Sequence, residues 1–263
     1  MLASDTMNLT SDQLQRYARQ LALPEVDEAG QRKLLAGRVL VIGAGGLGSP
    51  AALYLAAAGV GTLGIVDGDA LELSNLQRQV LHGTPDIGRQ KVVSAADRLR
   101  ALNPDVVVCP YPVRLTAANA AEILRDYDFV LDATDNFAAK FLIADACHFT
   151  HKPYVHAGIR RFQGQCLTVL PGETTCYRCV FEQPPVPDPS DARPAGPFGI
   201  VPGVIGTIEA AEALKYLMGI GVLLTNRLLT FDALAMAFRT ATVKRNPYCP
   251  LCGSAPSVRS PGA

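Results

Sequence analysis

The sequence lacks an excess of charge of either sign, since 24 Lys and Arg face 24 Asp and Glu in 263 residues. Because the chain has no net charge, it has no overall electrostatic attraction for nucleic acid or an anionic membrane, and neither is expected as a partner. Any site for an anionic ligand must be local. The N-terminus also lacks the basic, apolar and small-residue pattern of a secretion signal, and we expect a cytoplasmic protein.

Residues 39–66 lack charge altogether, and this stretch is long enough for a membrane-spanning helix. Seven glycines and one proline interrupt it, however, and that glycine density suits a continuous helix poorly. The apolar runs 39–42 and 63–66 are typical of short buried strands. We therefore predict a buried β-α-β unit here.

Cysteine is too scarce for a disulfide scaffold, with seven in the whole chain. Four of the seven form two CxxC pairs: Cys176, Cys179, Cys249 and Cys252. Two such thiolate pairs are typical of a tetrahedral Zn²⁺ site. A redox motif is the alternative, but neither pair opens a helix after a strand. We predict a closed, structural zinc site that ties the C-terminal tail to the body, with Cys109, Cys147 and Cys166 as inert core residues.

Helical and strand-like segments alternate through the first part of the chain. Helices are predicted at 11–23, 27–36, 47–58, 90–102, 117–125 and 136–149, and strands at 39–42, 62–66, 105–109, 128–132 and 153–157. Residues 67–89 are predicted as a loop with room for one short helix. This alternation predicts a Rossmann-like, mostly parallel α/β sheet with helices on both faces.

The regular alternation of predicted strands and helices ends after Gly158. An antiparallel strand is predicted at 164–170, a mobile surface loop with six prolines at 183–197, a helix at 204–218 and strands near 227–232 and 236–243. Without a repeat or a clear linker, residues 1–263 are predicted as one domain. It would comprise N-terminal helices (1–37), a nucleotide-binding α/β core (38–158) and an antiparallel extension with a crossover loop and zinc-bound C-terminus (159–263).

A glycine-rich turn, 43–48, separates the first predicted strand from a helix, and Asp67 closes the next strand. Glycines there let the backbone approach a phosphate, and the helix N-terminus supplies free N–H groups. A carboxylate at the position of Asp67 can accept hydrogen bonds from ribose hydroxyls. The pair predicts an adenine nucleotide, either NAD or ATP. The alternative is a tight structural turn beside a solvated aspartate.

Arg78, Lys91 and Asp135 favour a triphosphate. Such a site requires cations against phosphate charge and a carboxylate for Mg²⁺, whereas a dehydrogenase would leave these three side chains without a purpose. Asp135 should face the same crevice as Asp67, because both follow strands. Each residue also has an ordinary alternative. Asp135 or Asn136 could cap the following helix, and the two cations could be solvated surface charges.

Taken together, these motifs resemble the ThiF/MoeB/HesA adenylyltransferases, which are relatives of ubiquitin-activating enzymes. The resemblance covers nearly the whole chain. It rests on the runs 16–20, 43–61, 73–79, 132–136 and 203–207, on Asp67 and Lys91, and on both CxxC pairs.

The resemblance implies ATP-dependent adenylation of the C-terminal glycine of a ubiquitin-like sulfur carrier, ThiS- or MoaD-like and ending in Gly-Gly. Thiocarboxylate formation for thiamin or molybdopterin biosynthesis would follow. Three alternatives stay open. The chain could activate a small-molecule or tRNA-borne carboxylate, it could be an NAD-dependent oxidoreductase, or it could be a non-catalytic docking subunit.

The resemblance also implies residue roles. Asp67 would hold the ribose, Asn75, Arg78 and Lys91 the phosphates, and Asp135 the Mg²⁺ and the α-phosphate region. Arg19 would reach the triphosphate of the neighbouring subunit in a homodimer. The complete set expected around ATP is Gly43, Gly45, Gly46, Gly48, Asp67, Asp69, Asn75, Gln77, Arg78, Lys91, Asp135 and Asn136.

The chain departs from part of the family in the crossover loop, where many relatives carry a cysteine before an Ala-Gly step. The corresponding residue is Ala192, which can form neither a thioester nor a persulfide. Either the chain stops at the acyl adenylate or sulfur arrives from a separate donor, a cysteine desulfurase or a rhodanese-like protein, since no rhodanese-like extension follows. An engineered replacement of a cysteine at this position is the remaining alternative.

Overall fold

The structure is a computed structural model that describes residues 8–183 and 196–262. Eight strands form one sheet: Arg38–Ile42 (β1), Thr62–Val66 (β2), Val107–Tyr111 (β3), Phe129–Asp132 (β4), Tyr154–Arg160 (β5), Gln163–Val169 (β6), Arg227–Asp232 (β7) and Ala237–Thr242 (β8). The predicted proline-rich loop, with Ala192, lies almost entirely outside the described residues.

The described α-helices flank this sheet or precede it. They are Ser11–Arg16 (α1), Ala18–Leu21 (α2), Asp27–Ala36 (α3), Gly48–Ala58 (α4), Lys91–Leu102 (α5), Ala120–Leu124 (α6), Phe137–Phe149 (α7), Tyr177–Val180 (α8) and Ile200–Met218 (α9). None of the helices in the described ranges is long and apolar enough to cross a membrane. The uncharged stretch 39–66 forms β1, α4 and β2, as predicted.

The sheet has a parallel half and an antiparallel half. Its order is β3-β2-β1-β4-β5-β6-β7-β8, with parallel pairing from β3 to β5 and antiparallel pairing from β5 to β8. The predicted mostly parallel sheet with an antiparallel C-terminal extension is therefore confirmed. The assignment of the whole chain to one domain stays a prediction.

Two apolar cores lie on opposite faces of the sheet. Along β1, Val39 and Val41 belong to the core beneath α4, α5 and α9, whereas Leu40 and Ile42 belong to the core beneath α6 and α7. This alternation follows from the two-residue period of a strand buried on both faces. Each buried aliphatic side chain contributes about 1.5–3 kcal/mol to folding.

The predicted helix 11–23 is divided at Tyr17, which separates α1 from α2 with φ −97° and ψ 10°. The Tyr17 side chain is buried, and its hydroxyl accepts a hydrogen bond of 2.9 Å from Asn103 Nδ2. It also lies where a side chain at Gly59 would be, 2.5 Å from an added Cβ. The break between α1 and α2 therefore occurs at the residue whose side chain is anchored between α4 and the end of α5.

Other boundaries differ by a few residues. Strand β3 covers 107–111 rather than 105–109, which puts Pro110 in an edge strand, where a missing N–H is tolerated. Helix α6 is shorter than predicted, and α9 begins at Ile200 rather than 204, since proline is tolerated in a first turn. Residues 67–89 contain two short 3-10 turns, Leu73–Asn75 and Thr84–Asp86, instead of one helix.

Candidate active site

A cleft of about 800 Å³ opens at the carboxyl ends of the parallel strands. It lies between β1 and β4, which are adjacent in the sheet. After β1 the chain continues to β2 on one side, and after β4 it continues to β5 on the other side. Open α/β sheets bind ligands at such a point. The predicted residues that line it are Gly43, Gly45, Gly46, Asp67, Asp69, Arg78, Lys91, Asp135 and Asn136.

The glycine turn forms the floor of the cleft. Gly43 has φ +105°, and an added Cβ would lie 2.6 Å from the carbonyl oxygen of Ala133, so a side chain is excluded there on two grounds. A Cβ on Gly48 would lie 1.8 Å from the carbonyl oxygen of Gly43. No side chain among the described residues caps the start of α4. The N–H of Ser49 donates to the carbonyl of Gly45 at 2.9 Å and Pro50 has no N–H, so the N–H of Gly48 is the one in the first three residues of α4 that remains for a phosphate.

Ala44, in the middle of the turn, has both its N–H and its carbonyl in hydrogen bonds. Its N–H donates to Asp67 Oδ2 at 2.9 Å, and its carbonyl lies 3.0 Å from His82 Nε2. A carbonyl only accepts, so His82 carries its proton on Nε2, and Nδ1 accepts from the Ser94 hydroxyl at 2.9 Å. Burial lowers the pKa of His82, which keeps the ring neutral. His82 was missed from sequence because a lone histidine in a loop forms no motif.

Asp69 lies between two cations at the side of the cleft. Its carboxylate is 3.4 Å from Lys91 Nζ and 3.0 Å from Arg114 Nη2. Burial raises the pKa of Asp69, but the hydrogen bond from Arg114 and the charge of Lys91 outweigh it, and the net shift is downward. Lys91 is itself buried at the first residue of α5, which excludes the interpretation as a freely solvated charge.

Arg78 and Gln79 enter the cleft from the polar loop after β2. Arg78 Nη1 donates to the carbonyl of Ser74 at 3.1 Å, which leaves the other guanidinium donors for a ligand. Gln79 is buried, and its Oε1 has no hydrogen-bond partner within the described ranges. Gln79, Arg114 and Thr134 line the cleft but were not predicted as site residues.

The two candidate capping residues after β4 have different roles. Asn136 caps α7, since its Oδ1 accepts from the N–H of Ala139 at 2.9 Å. The Asp135 carboxylate is exposed, lines the cleft and accepts no hydrogen bond from any residue the structure describes. The cap is therefore made by Asn136, and Asp135 keeps its full capacity for a cation or ligand.

Four predicted residues lie outside the lining of this cleft. Arg19 is exposed on α2, Asn75 Oδ1 accepts from the N–H of Glu72 at 3.1 Å, and Gln77 packs beside Gly199. Gly48 permits the contact between α4 and the turn described above. Ligand roles for these four residues stay predictions.

The two CxxC pairs meet in one cluster. Cys176 Sγ lies 3.6 Å from Cys179 Sγ, 3.5 Å from Cys249 Sγ and 3.4 Å from Cys252 Sγ. All four sulfur atoms lie within 4.8 Å of one another, and all four cysteines are free. Four thiolates about 2.3 Å from one Zn²⁺ stand about 3.8 Å apart in a tetrahedron, so the donor set fits that ion.

Neighbouring groups support this cluster. The N–H of Asn246 points to Cys179 Sγ at 3.4 Å and that of Cys252 to Cys249 Sγ at 3.5 Å, as expected around thiolates. Arg178, between the first two cysteines, makes a buried two-pronged bond to Asp145 of α7, at 2.7 and 2.8 Å. The cluster therefore ties residues near the C-terminus to the body of the protein.

The remaining cysteines are separate from this cluster. Cys147 and Cys166 are fully buried, and burial raises both thiol pKa values well above the usual value, which makes these thiols inert. Cys109 is only half-buried, in the edge strand β3, so its prediction as a core residue holds in part.

Solved structures share this fold. E. coli MccB superposes with a TM-score of 0.81 at 22% identity, over 95% of this chain and 75% of that one. PaaA gives a TM-score of 0.77 at 24% identity, over 93% of this chain and 79% of that one. At these identities the likeness establishes the architecture alone.

Sequence relatives are closer. The chain is 51% identical over 260 residues to the "Sulfur carrier protein adenylyltransferase" of Thermus thermophilus, covering 96% of each chain. It is 47% identical to the "SAMP-activating enzyme E1" of Haloferax volcanii, over 94% of this chain and 92% of that one. It is 46% identical to "Adenylyltransferase and sulfurtransferase MOCS3" of Sus scrofa, of which it spans 55%.

A family model also matches most of the chain. The model described as the ThiF family covers residues 17–251, which include the cleft and three of the four clustered cysteines, all but Cys252. Together with relatives that are about half identical over nearly their full length, this match shows that the chain belongs to the ThiF family.

Proposed function

We propose that this protein adenylates the C-terminal glycine carboxylate of a ubiquitin-like sulfur carrier, with ATP as the AMP donor and pyrophosphate as the leaving group. One observation carries the proposal: Arg78, Lys91 and Asp135 line a single cleft with the glycine turn. The names of the relatives from Thermus thermophilus and Haloferax volcanii support the same activity.

The chemistry requires positioning and charge neutralisation. A carboxylate oxygen of the carrier attacks the α-phosphorus of ATP, the bond from that phosphorus to the bridging oxygen of the β-phosphate breaks, and pyrophosphate leaves with the electron pair. The nucleophile is already an anion, so no general base is required. It must be aligned against a negatively charged phosphate, and cations must offset the repulsion.

The residues of the cleft match these requirements. Lys91 lies beside Asp69, and Arg78 donates to the carbonyl of Ser74, so two positive groups are held in the cleft that the glycine turn also lines. Asp67 accepts from two backbone N–H groups, of Ala44 and Asp69, and retains lone pairs for ribose hydroxyls. Asp135 would hold Mg²⁺, which supplies charge neutralisation at the phosphates when bound.

A second copy of the chain would complete the site. Arg19 lies on α2, exposed and outside the cleft of its own chain. We place it against the triphosphate bound by the neighbouring subunit of a homodimer. Zn²⁺ in the four-cysteine cluster would be structural, because all four ligand positions are occupied by protein.

The sulfur step follows adenylation and requires another protein in this proposal. Ala192 offers no sulfur nucleophile. A separate cytoplasmic donor, a cysteine desulfurase or a rhodanese-like protein, would deliver sulfur to the acyl adenylate. The product would be a carrier thiocarboxylate for thiamin or molybdopterin biosynthesis.

The test is ATP–pyrophosphate exchange with Mg²⁺, with purified ThiS-type and MoaD-type carriers added separately. Exchange should appear only with a carrier that ends in Gly-Gly and should disappear with the same carrier shortened by those two residues. The active carrier identifies the pathway. Arg78→Ala should lose most of the exchange rate.

Other outcomes would contradict the proposal. Exchange that is independent of carrier would favour the sibling activity on a small-molecule or tRNA-borne carboxylate. Exchange at the wild-type rate in Arg78→Ala would favour a non-catalytic role for the cleft. Tight binding of NAD without binding of ATP would favour an oxidoreductase.

A further inference from the structure

A buried charged cluster lies directly behind the loop that carries Asp135. Asp132 ends β4, Lys140 lies one turn into α7 and His156 lies in β5, with exposed fractions of 1%, 6% and 1%. None of the three lines the cleft. Charged groups are rarely buried to this degree without a specific arrangement, since their desolvation is costly.

The loop bends back onto Asp132. The Asp132 carboxylate accepts from the N–H of Thr134 at 3.2 Å and from its hydroxyl at 2.6 Å. On its other side it accepts from His156 Nδ1 at 2.9 Å, and Lys140 Nζ lies 3.3 Å from both oxygens. One carboxylate therefore joins the loop, α7 and β5.

Lys140 closes the arrangement from the other side. Besides Asp132, its ammonium group donates to the carbonyl of Thr134 at 2.8 Å and to that of Ala157 at 2.5 Å. The N–H, hydroxyl and carbonyl of Thr134 are therefore all fixed by this pair of charges. The adjacent Asp135 makes no such bond within the described ranges, so its position is set by its two anchored neighbours, Thr134 on one side and the α7 cap Asn136 on the other.

The protonation states are determined by the same contacts. Burial raises the pKa of Asp132, but the charge of Lys140 and the bond from His156 outweigh it and lower that pKa to about 2. Burial lowers the pKa of His156, so the ring is neutral and donates through Nδ1. A buried ion pair is poor evidence for stability and better explained by the geometry it specifies.

We infer that the Asp132–Lys140 pair, supported by His156, positions the loop 133–135 so that the Asp135 carboxylate is held in the cleft for the cation and the α-phosphate. This inference rests on the proposed function. Lys140 is a positioning residue, because it acts through Thr134 and is buried outside the lining of the cleft.

Lys152 offers a matched control. It also bonds two backbone carbonyls, those of Arg125 and Tyr127, both at 2.7 Å, and it lies just before β5, at the opposite end of the strands from the cleft. Loss of Lys152 removes the same kind of tether without touching the loop that carries Asp135.

The experiment compares wild type, K140M, K140R and K152M in carrier-dependent ATP–pyrophosphate exchange with Mg²⁺ titrated. K140M should lose about 10–100-fold in rate and require about tenfold more Mg²⁺, the usual scale for loss of a group that orients a metal ligand. The Kd for ATP without Mg²⁺ should stay within about twofold, because the glycine turn is unchanged. K140R should restore most of the loss, and K152M should keep the wild-type Mg²⁺ requirement.

Thr134→Val provides a second test should K140M fail to fold. It removes the hydroxyl bond to Asp132 while the backbone bonds of residue 134 remain, and it should show a smaller rate loss with the same rise in Mg²⁺ requirement. A wild-type Mg²⁺ requirement in the folded variants, or equal effects of K140M and K152M, would overturn the inference while leaving the proposed function intact. Absence of carrier-dependent exchange in wild type would instead overturn the proposed function and the inference with it.

Discussion

The cleft and the cysteine cluster are both assembled from distant parts of the chain, but they differ in what their polar atoms face. In the cleft, Asp135 and Arg78 line about 800 Å³ of open space, and within the described residues Asp135 accepts no hydrogen bond and Arg78 donates one, to Ser74. In the cluster, four sulfur atoms face one another within 4.8 Å. The polar groups of the cleft can still bind a ligand, which suits this region to chemistry. The four sulfur atoms of the cluster can share one metal ion, which suits that region to holding the chain together.

The two regions are also connected differently to the apolar cores. The cluster cysteines Cys176 and Cys249 belong to the core beneath α6 and α7. The cleft is formed by strand ends, where the backbone leaves the core. Substitutions in the cleft should therefore change activity with little effect on stability, and substitutions in the cluster should do the reverse.

The largest effect is expected for Asp135→Ala. Exchange should fall by about 10³-fold or more, or about 4 kcal/mol of transition-state stabilisation, because the proposed cation ligand is lost. The melting temperature should stay within about 1 °C, since an exposed carboxylate without hydrogen bonds contributes little to folding. Retained turnover would contradict the role assigned to Asp135.

The opposite pattern is expected for Cys252→Ser. Loss of one of four ligands should lower the free energy of unfolding by several kcal/mol, because the metal-binding free energy is part of folding. The exchange rate per folded molecule should change much less. Cys109→Ser, at a half-buried cysteine outside the cluster, is the control and should melt like wild type. Normal melting with lost catalysis in Cys252→Ser would show that the cluster has been misassigned.

A smaller effect is expected outside both regions, at Glu209 of α9. Both carboxyl oxygens are buried without a partner in the described part of the chain, and burial raises the pKa well above its usual value. The folded state keeps a proton that the unfolded state releases above about pH 4.5. The free energy of unfolding therefore falls as pH rises from that value towards the folded-state pKa.

Glu209→Gln should remove this dependence. The variant should be more stable than wild type by about 1–3 kcal/mol at pH 8 and similar to wild type near pH 4.5, as measured by urea unfolding across that range. Parallel stability curves for the two proteins would show that Glu209 is not protonated in the folded state.

The smallest effect is expected for Arg114→Met. The side chain is 81% exposed, so its ion pair with Asp69 should contribute under about 1 kcal/mol to stability. Without Arg114, Asp69 would attract Lys91 more strongly, and the KM for ATP should rise about three- to tenfold. An unchanged KM would place Arg114 outside the nucleotide site.

Much of the structure of both regions could be predicted from sequence, wherever a local pattern specifies a local structure. The glycine turn with Asp67 and the CxxC spacing are examples, because close backbone approach and metal geometry each require particular residues at fixed distances along the chain. The division of the helix at Tyr17 could not be predicted, since it depends on Asn103 and Gly59, which are distant in sequence.

Two residues that lie behind the cleft lining were missed for the same reason. His82 matters through the carbonyl of Ala44, and Lys140 matters through Asp132 and Thr134. A buried lysine in an apolar helix resembles a surface lysine until the tertiary structure places it. Sequence patterns therefore identify the residues that face the ligand, but they do not identify as well the residues that position them.

The most direct measurement is a crystal structure of the protein with Mg²⁺ and a non-hydrolysable ATP analogue. We predict that the triphosphate lies over the glycine turn with Arg78 and Lys91 on its oxygens, that Asp135 binds the cation, and that Arg19 of a second copy lies nearby. A nucleotide bound elsewhere, or phosphates that contact none of Arg78, Lys91 and Asp135, would contradict it.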